Sequence, residues 1–130
     1  MTENKHEDYA NYRIEKAKLT IKEVEILIEN KLWNFFINRM YYACFYAVTA
    51  LLIKHGIHTS SHSGVRQKFG LHFVQSGKIE KELAKHYTRL FEKRHKGDYN
   101  DFFDHDEETV LQLFPVSKLF IQRLQELINK

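Results

Sequence analysis

Apolar side chains recur at helical spacing along almost the whole chain. From Glu7 to Glu29, Tyr12, Leu19, Val24, Leu27 and Ile28 fall among Lys and Glu, with Ile14, Ile21 and Ile26 between them, as in an amphipathic helix. Asn30 and Lys31 interrupt this pattern, and Leu32 to His55 predicts a second helix. Its middle, Met40 to Val48, is apolar or aromatic on every side, so this helix should be the central, most buried one. Gly56 is placed to end it in a left-handed conformation, and the polar stretch His58 to Ser63 supplies a turn with a hydroxyl cap. A shorter third helix, Ser63 to Gln75, should close at Gly77, and a fourth should run from Ile79 through Leu83, His86, Leu90 and Phe91 towards Gly97. Asp98 to Asp104 has the Asn/Asp content of a loop. Asp104 with Glu107 resembles a capping box that opens a last helix, and Pro115 inside that helix predicts a kink or short break near Phe114. With no repeat, linker or low-complexity tract, residues 1–130 read as a single all-α domain, an antiparallel up-and-down bundle of four to five helices.

Composition narrows this further. A chain of 130 residues with 43% hydrophobic content can bury a core without disulfides or metal staples, and one proline with five glycines leaves little for a loop-rich β-protein. The lone Cys44 sits in an apolar run and reads as a small buried hydrophobe in a reducing compartment, which points to the cytoplasm. The N-terminus has no apolar signal core, and the uncharged run Met40 to Ile53 is shorter than a bilayer span, so no membrane association is expected. A net charge of +3, from 20 basic and 17 acidic side chains mixed along the chain, permits RNA without demanding it. Eight histidines are scattered, with none in a His-Glu-x-x-His arrangement, so neither a metal nor a cofactor is expected.

The densest polar chemistry is Arg94-His95-Lys96-Gly97-Asp98-Tyr99. If the helix continues past Gly97, Arg94 and Asp98 share one face and His95 and Tyr99 the next. Arg94 could then hold a phosphate bidentately while a neighbour moves a proton; the plainer alternative is a surface salt bridge followed by a glycine stop. Arg39 opens the apolar run of the second helix and must reach solvent, an acid or a phosphate, an ion pair being the simpler outcome. Ala43, Ala47 and Ala50 make a small-residue strip beside the bulky strip of Tyr41, Phe45, Val48 and Leu52, which reads as core packing before base stacking. Asp98, Asp101, Asp104, His105, Asp106, Glu107 and Glu108 could gather a divalent cation, although helix starts favour acids for dipole reasons. Ser60-Ser61-His62-Ser63-Gly64 reads as a cap and turn, since nothing supplies the orienting acid of a nucleophile-and-base site.

Three segments together resemble HEPN domains, the higher-eukaryote-and-prokaryote nucleotide-binding group. Asn38 to Ala47 carries the Arg-x-Tyr-Tyr-Ala helix, His62-Ser63-Gly64-Val65 is similar to the next segment, and Arg94 with Asp98-Tyr99 is similar to the end of the fourth helix. The likeness covers Leu19 to Ile128. It implies a small helical bundle that often dimerises, and a partner that in many relatives is a minimal nucleotidyltransferase forming a toxin–antitoxin pair. Active toxins of this kind are metal-independent ribonucleases carrying Arg, four to six residues, then His, with two copies meeting at the dimer interface. Arginine there would stabilise the phosphorane charge and histidine would exchange protons with the 2′-hydroxyl or leaving oxygen. After Arg94 and four intervening residues this chain has Tyr99, and a phenol with an ordinary pKa near 10 is a poor base at neutral pH. The resemblance therefore implies an RNA- or nucleotide-binding domain of weak or absent nuclease activity. Arg94 binds the anion in this expectation, Asp98 orients, Arg39 supports the same cleft, and Tyr99, His95 or His105 substitutes for the missing base if the chain cleaves RNA. A structural interaction module is the remaining class.

Overall fold

The computed structural model describes residues 2–30, 36–99 and 107–130, and gives the backbone alone over 2–6 and 94–99. Five α-helices follow one another: α1 (Thr2–Glu29), α2 (Phe36–Lys54), α3 (His62–Phe69), α4 (Lys81–Tyr99) and α5 (Glu107–Ile128), with a π turn at Gly70–Val74 directly after α3. The described residues form an all-α bundle, as expected, with no strand among them. Helix α2 packs against α1, α3, α4 and α5, so the most apolar segment does occupy the centre. It is long and apolar enough by composition to cross a membrane, but 61% of that window is buried inside the bundle, which is the signature of a core helix.

Packing on α2 depends on small side chains. Ala43, Ala47 and Ala50 are fully buried, as are Ala10 and Ala17 of α1, which lets the two backbones approach closely. The inward stripe of α1 runs through Ala10, Ile14, Ala17 and Val24, whereas Tyr12, Leu19 and Ile26 are about 60% exposed. The reading that placed Tyr12 and Leu19 on the core face is corrected: side-chain size misleads where the neighbouring helix needs alanine. Across the bundle, Tyr41 of α2, Tyr87 of α4 and Phe120 of α5 stack in near-parallel steps, with centroids 5.9 and 5.6 Å apart and interplanar angles of 11° and 7°. Phe69 of α3 meets Tyr87 and Phe120 edge-on, so four helices share one aromatic column.

Local chemistry explains most boundaries. Gly56 and Gly77 take φ of 73° and 80°, and the backbone N–H groups of Ile57 and Lys78 close back onto Leu52 and Phe73 at 2.9 Å, as the glycine stops predict. Ser61 caps α3, its hydroxyl accepting from the Gly64 N–H at 2.9 Å. Four expectations are corrected. The third helix is not one α-helix to Gln75: from Gly70 it widens, the Gln75 N–H bonding the Gly70 carbonyl, and Phe69 and Phe73 end on one buried side with rings 6.3 Å apart. Gly97 does not stop α4, which continues to Tyr99, so Asp98 and Tyr99 are helical and not part of a loop. Helix α1 begins at Thr2, five residues before Glu7, while positions 32–35, where the second helix was expected to open, lie outside the described residues. Finally, α5 passes Pro115 unbroken, because Pro115 and the Leu111 turn lie on the exposed face, where water can serve the carbonyl that lost its donor. Asp104, the first residue of the expected capping box, lies outside the described residues.

Candidate functional site

Tyr41 ties two of the motif segments together and touches α4 one turn before the third. Its hydroxyl meets His62 Nδ1 at 2.7 Å, joining the Arg-x-Tyr-Tyr-Ala helix to the His-Ser-Gly-Val segment at the start of α3. The imidazole is held between rings: it stacks on Phe45 at 4.4 Å and stands edge-on to Tyr42 at 5.8 Å. From the other side Phe91 of α4 approaches Tyr41 edge-on at 6.0 Å. Positions 94, 95 and 98 follow Phe91 at i+3, i+4 and i+7, so the α4 backbone carries Arg94, His95 and Asp98 on the same side as the ring that touches Tyr41. The side chains of Arg94, His95, Asp98 and Tyr99 are outside the described set, as are all atoms of Asp101, Asp104, His105 and Asp106.

The close approach between α3 and its leading loop rests on Gly64. A Cβ there would collide with Thr59 Oγ1 and press on Ser61 Oγ at 2.8 Å, so only glycine lets the loop seat against the first turn of α3. The polar stretch is thus a cap and turn, as read from the sequence. The additional part played by His62, a bond to the core tyrosine, is visible only in three dimensions.

Arg39 is a helix tie. Its Nη2 donates to Glu23 Oε2 at 2.6 Å, linking α2 to α1, and it lines a shallow recess of about 410 Å³ with Glu23, Ile26 and Leu27. Among the described residues, that recess includes neither His62 nor any residue of α4. Arg66, which the sequence reading passed over, is better placed: its guanidinium lies 4.8 Å over the Phe91 ring, and its Nε is buried without a hydrogen-bond partner. Its signal was available as a cation directly after the His-Ser-Gly-Val segment, but nothing in sequence showed that α4 would bring an aromatic ring beneath it.

Below this surface is a buried polar group with a structural task. His86 Nε2 and Ser117 Oγ are 2.8 Å apart between α4 and α5, and Ser117 Oγ also donates to the Leu113 carbonyl at 3.0 Å. With its one hydrogen committed there, Ser117 accepts from His86 Nε2–H. Burial, together with the nearby Arg89 charge, pulls His86 down to about 4, so it is neutral at pH 7. Burial pushes the Cys44 thiol up to about 12, partly offset by Ser117, which makes it an inert core group. Tyr87 is held well above its ordinary value by burial, then by Tyr41. No group of three metal-ligating side chains occurs among the described residues; Glu107 and Glu108, at the acidic end of the loop cluster, open α5.

A Thermotoga maritima protein named UPF0332 is 37% identical over 126 residues, covering 97% of this chain and 96% of its own. Two Methanocaldococcus jannaschii proteins, each named "Putative toxin", are 32% and 29% identical, each covering 90% of this chain, with 87% and 80% of their own lengths matched. The HEPN domain model matches residues 10–127, which takes in every element that contributes to the Tyr41 cluster. The chain belongs to the HEPN family.

Proposed function

We propose that this HEPN-domain protein binds RNA at the surface formed by the end of α4 and the Tyr41–His62 cluster, with weak or no cleavage. In this reading it works in the cytoplasm as a homodimer, paired with a minimal nucleotidyltransferase in a toxin–antitoxin-like couple. The supporting observation is the meeting of two motif segments on one phenol beside α4: Tyr41 bonds His62 at 2.7 Å and touches Phe91, one turn before Arg94. The toxin names of two relatives favour the same class. Arg94 supplies the anion contact, Asp98 orients it, and Arg39 supports the site by holding α2 to α1.

A second reading, a metal-independent endoribonuclease using Arg94 with Tyr99 or a nearby His (His95 or His105), takes support from the helical backbone of α4, which spans about a turn and a half from Arg94 to Tyr99. One experiment separates the readings. Purified protein is incubated with end-labelled single-stranded RNA in chelator, and retardation and cleavage are scored together. Binding without cleavage, weakened about tenfold or more by Arg94→Ala, is the expected result. Cleavage that disappears in Arg94→Ala would establish the enzyme, and native protein that neither binds nor cleaves would leave a structural interaction module.

A further inference from the structure

Helix α1 carries two apolar stripes of the same period. Ala10, Ala17 and Val24 face the bundle and are buried, whereas Tyr12, Leu19 and Ile26 are about 60% exposed. Each stripe repeats every seven residues, and the second follows the first by two residues, about 200° round the helix, so it points almost directly away from the core. Large apolar side chains held in water at coiled-coil spacing mark a helix that packs on another helix. Charged residues border the stripe on both sides. Lys16 and Glu23 lie on one flank and Glu15 and Lys22 on the other, each within about 60° of Leu19. Arg39 holds Glu23 at 2.6 Å, and with Ile26 and Leu27 these two residues line the shallow recess of about 410 Å³.

We propose that this face of α1 binds a second copy of the chain, the two α1 helices running antiparallel about a two-fold axis at Leu19. Self-complementarity selects the occupant. The axis sets Leu19 on the partner's Leu19, and Tyr12 on the partner's Ile26 in both halves of the contact. It also turns each flank against its own reverse, so that Lys16 meets the partner's Glu23 and Glu15 the partner's Lys22, every pair level to within about 1.5 Å along the helices. An unrelated helix would have to supply that pattern, and this chain already carries it. The recess fixes the sense: only antiparallel helices bring the partner's Tyr12 level with it, where the ring enters as a knob enters a hole. From Tyr12 to Ile26 the contact runs about 21 Å, which places it among small interfaces with micromolar association. The assignment uses residues of α1 with Arg39 of α2, and rests neither on RNA binding nor on the meeting of two Arg94 motifs.

Sedimentation velocity over a micromolar concentration series, joined to disulfide trapping, tests it. The full chain should associate reversibly, and Leu19→Glu should weaken the association about tenfold or more with far-ultraviolet circular dichroism unchanged, since Leu19 is exposed. Glu15→Lys should weaken it severalfold, and adding Lys22→Glu should restore it, a recovery that damage to the fold cannot produce. With oxidised glutathione Leu19→Cys should give a linked dimer, because helices packed about 10 Å apart bring facing Cα atoms to about 5–6 Å. Cys44 is buried and does not compete. Tyr12→Cys should link to Ile26→Cys in a mixture and not to itself. A chain that stays monomeric throughout overturns the assignment, as does linkage of Tyr12→Cys to itself. Association that ignores both Leu19→Glu and the charge exchange overturns it while leaving a contact centred on Arg94 in place.

Discussion

The two faces of α4 differ in how completely their side chains are engaged. One face, through Leu83, His86, Tyr87 and Leu90, is buried and carries the stacked column and the His86–Ser117 bond. The other presents Lys81, Lys85 and Arg89 to solvent, along a cleft that Arg66 of α3 also lines. Helical periodicity alone makes this division, since residues three and four apart share a side. It separates the side chains that keep the bundle closed from those that stay in solvent. Substitutions on the inner face should therefore report strongly in denaturation, and those on the outer face hardly at all.

The largest effect should come from emptying the column. Tyr87→Ala removes a fully buried ring between Tyr41 and Phe120 and should cost about 3–5 kcal/mol in urea denaturation. Tyr87→Phe, which keeps the ring and deletes only the hydroxyl, should stay within about 1 kcal/mol of the native chain. If the two variants were equally destabilised, the hydroxyl and not the ring would be what holds the column.

Acid should act next on the same face. His86 stands at about 4 in the folded chain against its ordinary 6.5, so between these values the unfolded chain binds more protons and stability falls as pH falls. The contribution is fully present above pH 6.5 and is lost on descent to about 4, amounting to up to about 3 kcal/mol. Urea titrations at pH 7 and pH 4.5 would measure the slope, and a His86→Gln variant should flatten it.

Smaller effects define the outer surface. Arg39→Ala breaks the pair with Glu23, which is half exposed, and should cost no more than about 1 kcal/mol. Arg89→Ala, on the exposed face, should move the melting free energy by about 0.5 kcal/mol or less. A large loss of stability in Arg89→Ala would show that the division between the faces is drawn in the wrong place.

Much of this division was legible in sequence. The all-round apolar run from Met40 predicted the central helix, and Gly56 and Gly77 predicted two helix ends, because left-handed backbone is a local property of glycine. Gly97 misled for the complementary reason: a glycine tolerates helix at a cost of about 1 kcal/mol, which surrounding residues can overcome, so its presence alone does not end one. Tyr12, Leu19 and Ile26 misled because amphipathic counting ranks large side chains above alanine, and the inward stripe of α1 runs through Ala10 and Ala17. Arg94 to Tyr99 stood out by its density of polar side chains, and the family resemblance gave them roles. Arg66 did not stand out, because its setting depends on Phe91, 25 positions away, and the π turn that shapes the cleft has no composition of its own.

The column also gives the protein an optical reporter. Tyr41 and Tyr87 lie nearly parallel at 5.9 Å inside the core, close enough for their electronic transitions to couple and to contribute to near-ultraviolet circular dichroism. Because burial holds the Tyr87 phenol well above its ordinary value, its phenolate band should emerge in alkaline titration only as the helices part. Opening of the bundle can then be followed by absorbance, with no label attached.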